Sequence, residues 1–211
     1  MTAVPQPAGF PRRGTLAEYF ALDAASPGEK YEYRDGTIVC MPGGTPPHAA
    51  ITMKVGAALV SRLKGGPCEV YSGDLKIGVA RRTYYMHPDV SVVCGPLQMD
   101  PRDTTGQTVL NAKLIVEVLS PSTERHDRRE KFSRYMEIET FGEYVLVSQD
   151  RPWVESLFRQ PDGTWSYSYA NGLDATLHLR SLSIDLPLAE AYAGVQFPPT
   201  DAETPPVDSP P

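Results

Sequence analysis

Hydrophobic positions along the chain change period several times, and each change marks a different element. Thr15 and Glu18 have the form of a helix-capping box, and the following Tyr19, Phe20 and Leu22 predict a short helix. Tyr31-Glu32-Tyr33-Arg34 and Thr37-Ile38-Val39-Cys40-Met41 flank Asp35-Gly36, a dipeptide suited to a type I′ turn, so this stretch reads as a hairpin. A Pro/Gly-rich loop covers 42–47. Ile51, Val55, Ala58 and Leu59 then recur on one face of a helix over 48–63, which Gly65-Gly66-Pro67 ends.

Strands follow at about 68–72, at 75–80 and over 84–94, then a loop with Pro101 and Gly106, then a strand over 114–120. Ser122 or Thr123 can cap a helix over 124–138 with Phe132, Tyr135 and Met136 inward. Residues 143–148 look like a central strand. Val154–Phe158 and Trp165–Tyr169 alternate around a Pro-Asp-Gly turn and predict a second hairpin. Smaller strands at 174–179 and 181–186 and a helix over 188–192 close the domain, and no internal repeat is visible. The organisation is α+β, a mixed β-sheet flanked by at least two helices, in one domain over 14–195. The Pro/Gly-rich segment 1–13 and the polar, Pro-rich tail 196–211 are expected to be disordered.

Two of these strands carry acids where acids are costly. Asp89 follows Pro88 in the run Tyr84–Cys94, and Glu117 sits among Leu114, Ile115, Val116, Val118 and Leu119. An ionised carboxylate in such surroundings needs a partner, a proton or a cation. Two of them on strands lying side by side could hold a hard cation through oxygen ligands. A basic helix follows, with Arg125, Arg128, Arg129, Lys131 and Arg134, and with Asp127 one turn before Lys131. Plainer readings stand beside this one. Asp89 is a turn acid, Glu117 pairs with a core base, Lys131 and Asp127 form an exposed i,i+4 pair, and the arginines are a solvated helix face.

Composition narrows the classes. A length of 211 residues suits one domain, and a net charge of −6 argues against coating nucleic acid by bulk charge, though not against a nuclease with a local basic patch. No apolar run has membrane-span length and no signal-peptide core opens the chain, so a cytoplasmic protein without a membrane partner is expected. Cys40, Cys68 and Cys94 share no metal-ligand spacing and read as free thiols of a reducing compartment. Without G-x-G-x-x-G or a phosphate loop, no nucleotide cofactor is expected, and no HExxH or multi-histidine ligand set is present.

Tyr31–Gly36, His48, His87-Pro88-Asp89-Val90-Ser91-Val92-Val93, Glu117-Val118-Leu119-Ser120-Pro121-Ser122-Thr123, Asp127, Glu130-Lys131-Phe132 and Glu143–Val147 together resemble the bacterial Uma-type restriction endonucleases of the PD-(D/E)xK nuclease superfamily. The resemblance covers roughly 15–192. It implies a restriction-endonuclease-like core with added β-hairpins, and a DNA endonuclease using Mg²⁺ or Mn²⁺. Asp89, Glu117 and the Val118 carbonyl would hold the metal, and the catalytic set would be Asp89, Glu117 and Lys131. In the superfamily pattern a lysine stands two places after the glutamate. Here Leu119 stands there, and the resemblance implies that Lys131 takes over from the next helix. Glu32 and His48 are implied supporting residues, Asp127 an orienter of Lys131, and Ser120 a hydrogen-bonding residue of the strand-to-helix turn. Arg125, Arg128, Arg129 and Arg134 are the candidate DNA contacts. Double-strand cleavage favours a homodimer, with the second hairpin as a contact surface. A catalytically silent member that binds nucleic acid or a protein partner is the competing class.

Overall fold

The computed structural model describes residues 10–197 apart from 42, 80–82 and 122. Its strands are β1 (Arg12–Arg13), β2 (Tyr31–Arg34), β3 (Thr37–Cys40), β4 (Cys68–Ser72), β5 (Lys76–Val79), β6 (Tyr84–Met86), β7 (Val90–Cys94), β8 (Thr108–Val109), β9 (Leu114–Leu119), β10 (Glu143–Ser148), β11 (Trp153–Arg159), β12 (Trp165–Asn171), β13 (Thr176–Leu179) and β14 (Ile184–Pro187). Helices are α1 (Leu16–Ala25), α2 (Pro46–Leu63), α3 (Glu124–His126), a π-helical turn (Asp127–Lys131), α4 (Phe132–Tyr135) and α5 (Leu188–Ala191).

The strands form two large sheets and a small one. The central sheet runs β12-β11-β10-β9-β7-β4, the second β1-β3-β2-β6-β5-β8, and β13 pairs with β14. In the central sheet only β9 and β10 are parallel; the other pairs are antiparallel. Strand β9 is buried on both faces, which explains its continuous apolar run. Leu114, Val116 and Val118 pack with Ile51, Val55 and Leu59 of α2, while Ile115 and Leu119 pack with Tyr135 and Phe141 on the other side.

Several local expectations hold for the reasons given. Thr15 and Glu18 form the reciprocal capping box of α1. Asp35 and Gly36 both have positive φ, 43° and 83°, as a type I′ turn requires. Ile51, Val55, Ala58 and Leu59 are the buried face of α2. That helix begins earlier than the apolar period shows, because Pro46 and Pro47 fit its first turn and Thr45 caps it.

Other expectations are corrected. The run 84–94 is not one strand: β6 belongs to the second sheet and β7 to the central one, broken at His87-Pro88-Asp89. Pro88 has no N–H to give a ladder, so the chain changes sheets there. The loop before β9 contains β8, paired parallel to β5. The helix over 124–138 is interrupted by the π turn and its last helical span ends at Tyr135. Cys68 and Cys94 are not free thiols. They face each other across β4 and β7 and form a disulfide, while Cys40 is free and buried. Their pairing comes from strand register, which sequence spacing does not reveal, and the thiol argument for a reducing compartment falls with it. Order begins before residue 14, since Phe10 packs on Tyr31 and Arg12–Arg13 pair with β3. At the other end Phe197 packs on Tyr192. The remaining tail residues 198–211, the N-terminal residues 1–9 and the cap candidate Ser122 lie outside the described residues. No helix among the described residues is long and apolar enough to cross a membrane.

Candidate active site

The break at His87–Asp89 places the site at the junction of the two large sheets. Asp89 lies one residue before the Val90↔Val116 pair, which sets it opposite Glu117. Glu117 shares its face of β9 with Ile115 and Leu119 and is 3% exposed. Glu32 comes from β2 of the second sheet, and Asp127 and Lys131 come from the π turn. His48 comes from the first turn of α2. Asp89, Glu117, Asp127, Lys131 and His48 line one cleft of about 530 Å³, with Val118 and Ser120 on its wall.

Lys131 is the hub. Its Nζ lies 3.0 Å from Glu117 Oε1, 3.3 Å from Asp127 Oδ1 and 3.5 Å from Glu32 Oε1. The surface-pair reading of Lys131 and Asp127 is therefore wrong: both are buried. The π turn matters here, because π-bulges re-aim side chains within a helix and are frequent at functional sites. Burial disfavours the lysine's charge, but Glu117, Glu32 and Asp127 outweigh it and hold the ammonium protonated. Burial pushes the Glu117 carboxyl well above the ordinary range; Lys131 opposes that, while Asp127 and Asp89 add to it. Burial would also raise Glu32, yet Lys131 and Arg34 hold its pKa down at about 2.

Asp89 is held differently. Its Oδ2 accepts the Val118 N–H at 2.7 Å and lies 3.2 Å from His48 Nε2. Burial lowers the imidazole's pKa, but the hydrogen bond and charge of Asp89, together with the Val118 carbonyl, raise it above the usual value. Gly44 lets the ring sit there, because a Cβ at that position would come within 2.8 Å of His48 Nδ1. Ser120 pairs with the Thr123 hydroxyl at 2.9 Å, and its carbonyl accepts the Thr123 and Glu124 N–H groups, so it shapes the strand-to-helix turn.

Sequence reasoning missed three supports. Tyr135 donates to Glu117 Oε1 at 3.2 Å, Tyr144 donates to the Asp127 carbonyl at 3.0 Å, and the Arg34 guanidinium clamps Glu32 Oε2. Tyr135 is four residues beyond Lys131 and Arg34 two beyond Glu32, spacings that put each pair on one helix or strand face. Of the four arginines, Arg128 is held by Glu124 and Glu155, and Arg134 lies over the Tyr84 ring. Arg125 and Arg129 are exposed.

Among the described residues, no cluster of three His, Cys, Asp or Glu side chains converges as a ready cation site. The donor set is nonetheless suited to a hard cation. Glu32, Glu117 and Asp127 bring buried carboxyl oxygens together, with Asp89 beside them. Asp127 Oδ1 is buried with no hydrogen bond.

A mixed sheet with acids on neighbouring strands and a lysine on the following helix defines a restriction-endonuclease-like α+β protein. The chain belongs to the Uma2 family, described as "Putative restriction endonuclease", whose model matches residues 16–189. Two uncharacterized proteins of Synechocystis sp. are similar to it. Slr1290 is 36% identical over 170 residues, covering 80% of this chain and 86% of that one, and sll1609 is 28% identical over 170 residues, covering 81% and 94%. The crystal structure of a protein from Anabaena variabilis described as a "putative nuclease belonging to DUF820" shares the fold, with a TM-score of 0.63 at 17% identity, covering 79% of this chain and 91% of that one.

Proposed function

We propose that this protein is a metal-dependent DNA endonuclease. The observation that carries the reading is the buried Lys131–Glu117 pair, 3.0 Å apart, in the cleft that also holds Asp89. Asp89, Glu117 and the Val118 carbonyl would hold Mg²⁺ or Mn²⁺. Such an ion, when bound, polarises a phosphodiester oxygen and lowers the pKa of a water. Lys131 stays protonated and so cannot be the base. It donates hydrogen bonds to the attacking water or to the phosphoryl oxygen on which charge builds. Glu32 and Asp127 fix the direction of its ammonium, and Arg34 in turn fixes Glu32. Tyr135 orients Glu117, and His48 orients Asp89. Arg125 and Arg129, exposed on the same helical stretch, would meet phosphates. Cutting both strands calls for two copies.

The test is cleavage of supercoiled, linear and single-stranded DNA with Mg²⁺ or Mn²⁺ against a chelator, in protein freed of host nucleases. Metal-dependent cleavage lost in Glu117→Gln supports the reading. Intact binding of DNA or of a protein partner with no cleavage under any metal would instead assign the silent class.

A further inference from the structure

Sheet edges are hazards, and soluble proteins guard them with short strands, charge or proline. Of the four edges of the two large sheets, three obey. Strands β1 and β8 are two residues long, and β4 carries Glu69 and is tied to β7 by the disulfide. The fourth does not. Strand β12, Trp165-Ser166-Tyr167-Ser168-Tyr169-Ala170-Asn171, is seven residues long with no charge and no proline, and it ends the central sheet. Tyr167 and Tyr169 on it are 54% and 56% exposed.

The pairing of β12 with β11 fixes which groups face outward. Gly172 N–H bonds the Pro152 carbonyl and Gln160 N–H bonds the Thr164 carbonyl, so even-numbered residues of β12 bond inward in the antiparallel alternation. Trp165, Tyr167, Tyr169 and Asn171 therefore point their N–H and C=O groups away from the sheet. The geometry points to a second copy of this chain as their partner, through antiparallel pairing of β12 with β12 about a twofold axis at Ser168. That register sets Trp165 against the partner's Asn171 and Tyr167 against the partner's Tyr169, as hydrogen-bonded pairs. It uses every outward group of the strand; shifting the axis by one residue leaves some unpaired. Charge does not oppose pairing along the strand itself. Two chains of net charge −6 repel over most surfaces, and an uncharged strand is where they can meet. On one face, Tyr169 already stacks on Trp153 at 4.5 Å, and the partner's Tyr167 would extend that row.

The axis stands perpendicular to the sheet, so both clefts open on the same side. Glu117, Leu146, Glu155 and Tyr169 form one cross-strand row. Seven strand steps then separate the two Glu117 positions, at most roughly 34 Å. This dimer specifies the two-copy requirement of the proposed nuclease, but its evidence is the edge itself and it stands without cleavage.

The experiment measures the mass of the full chain by light scattering and uses two variants. Wild type is expected to be a dimer. Ser168→Cys lies on the axis, in a non-hydrogen-bonded pair with Cα atoms about 4.5 Å apart. It should cross-link into a covalent dimer on mild oxidation, while Ser166→Cys, displaced from the axis, should not. Tyr167→Pro removes an outward N–H and no inward bond, so it should give a folded monomer, with the wild-type circular dichroism spectrum and a melting temperature that no longer depends on protein concentration. A monomeric wild type overturns the proposal. So does a dimer that survives Tyr167→Pro and fails to cross-link through Ser168→Cys. Loss of DNA affinity in Tyr167→Pro from an already monomeric wild type would give the tyrosines to nucleic-acid stacking instead.

Discussion

Lys131 Nζ lies 3.0 Å from Glu117 Oε1, joining a π-helical turn to the middle of a buried strand. The pair is buried on both sides, and Glu32 and Asp127 complete a ring of carboxylates around one ammonium. Such an arrangement costs several kcal/mol in desolvation and is a poor device for stability alone.

Lys131→Met should therefore do two things. Cleavage should fall about 10²–10³-fold if the ammonium stabilises the transition state. Stability should also fall by about 3–5 kcal/mol, because the carboxylates lose their shared cation. Thermal melting must accompany the assay, and cleavage should be read below the variant's own melting temperature. Near-normal cleavage by the folded variant would take lysine out of the mechanism.

Glu117→Gln separates ligand from scaffold. Without a cation, burial favours the protonated carboxyl of Glu117, which an amide imitates. The variant should melt close to wild type in chelator, within about 1 kcal/mol. Calorimetry should nevertheless show weakened Mn²⁺ binding, as it should for Asp89→Asn. Unchanged Mn²⁺ affinity in both variants would place any metal elsewhere.

His48 tests the orienting role assigned to it. A Gly44→Ala substitution adds a Cβ within 2.8 Å of the ring and should push it off Asp89 without touching either residue chemically. The expected result is a rise in the metal concentration needed for cleavage, with the rate at saturating metal little changed. A loss of rate at saturation with no change in metal dependence would contradict an orienting role.

Much of this was legible in the chain, and the illegible part has physical causes. The apolar run around Glu117 announces a buried acid, and the capping box, the Asp-Gly turn and the α2 stripe are local signals with local outcomes. What the pattern could not show is non-local. The run 84–94 has the composition of one strand, and only pairing partners reveal that Pro88 hands the chain from one sheet to another. The disulfide depends on the β4–β7 register. The π turn leaves no mark in hydrophobic period, although it turns an apparent surface pair at Asp127 and Lys131 inward. The resemblance brought Lys131 and Glu117 together before any geometry did.

Glu32 supplies the pH dependence. Its folded pKa of about 2 lies below the ordinary 4.5, since Lys131 and Arg34 favour the carboxylate against burial. A group with a depressed folded pKa stabilises the fold above its unfolded value and loses that contribution as pH falls towards the folded one. The window is thus pH 4.5 down to about 2, and the loss is on the order of 3 kcal/mol. Denaturant titrations across that range should show wild type losing stability more steeply than Glu32→Gln, which cannot titrate. Arg34→Met removes one of the two cations that hold the carboxylate charged. Its folded pKa should then rise towards 4.5, so the acid loss still starts near pH 4.5 but is smaller and ends at a higher pH; an unchanged acid limb in Arg34→Met would mean that Lys131 alone sets the state of Glu32.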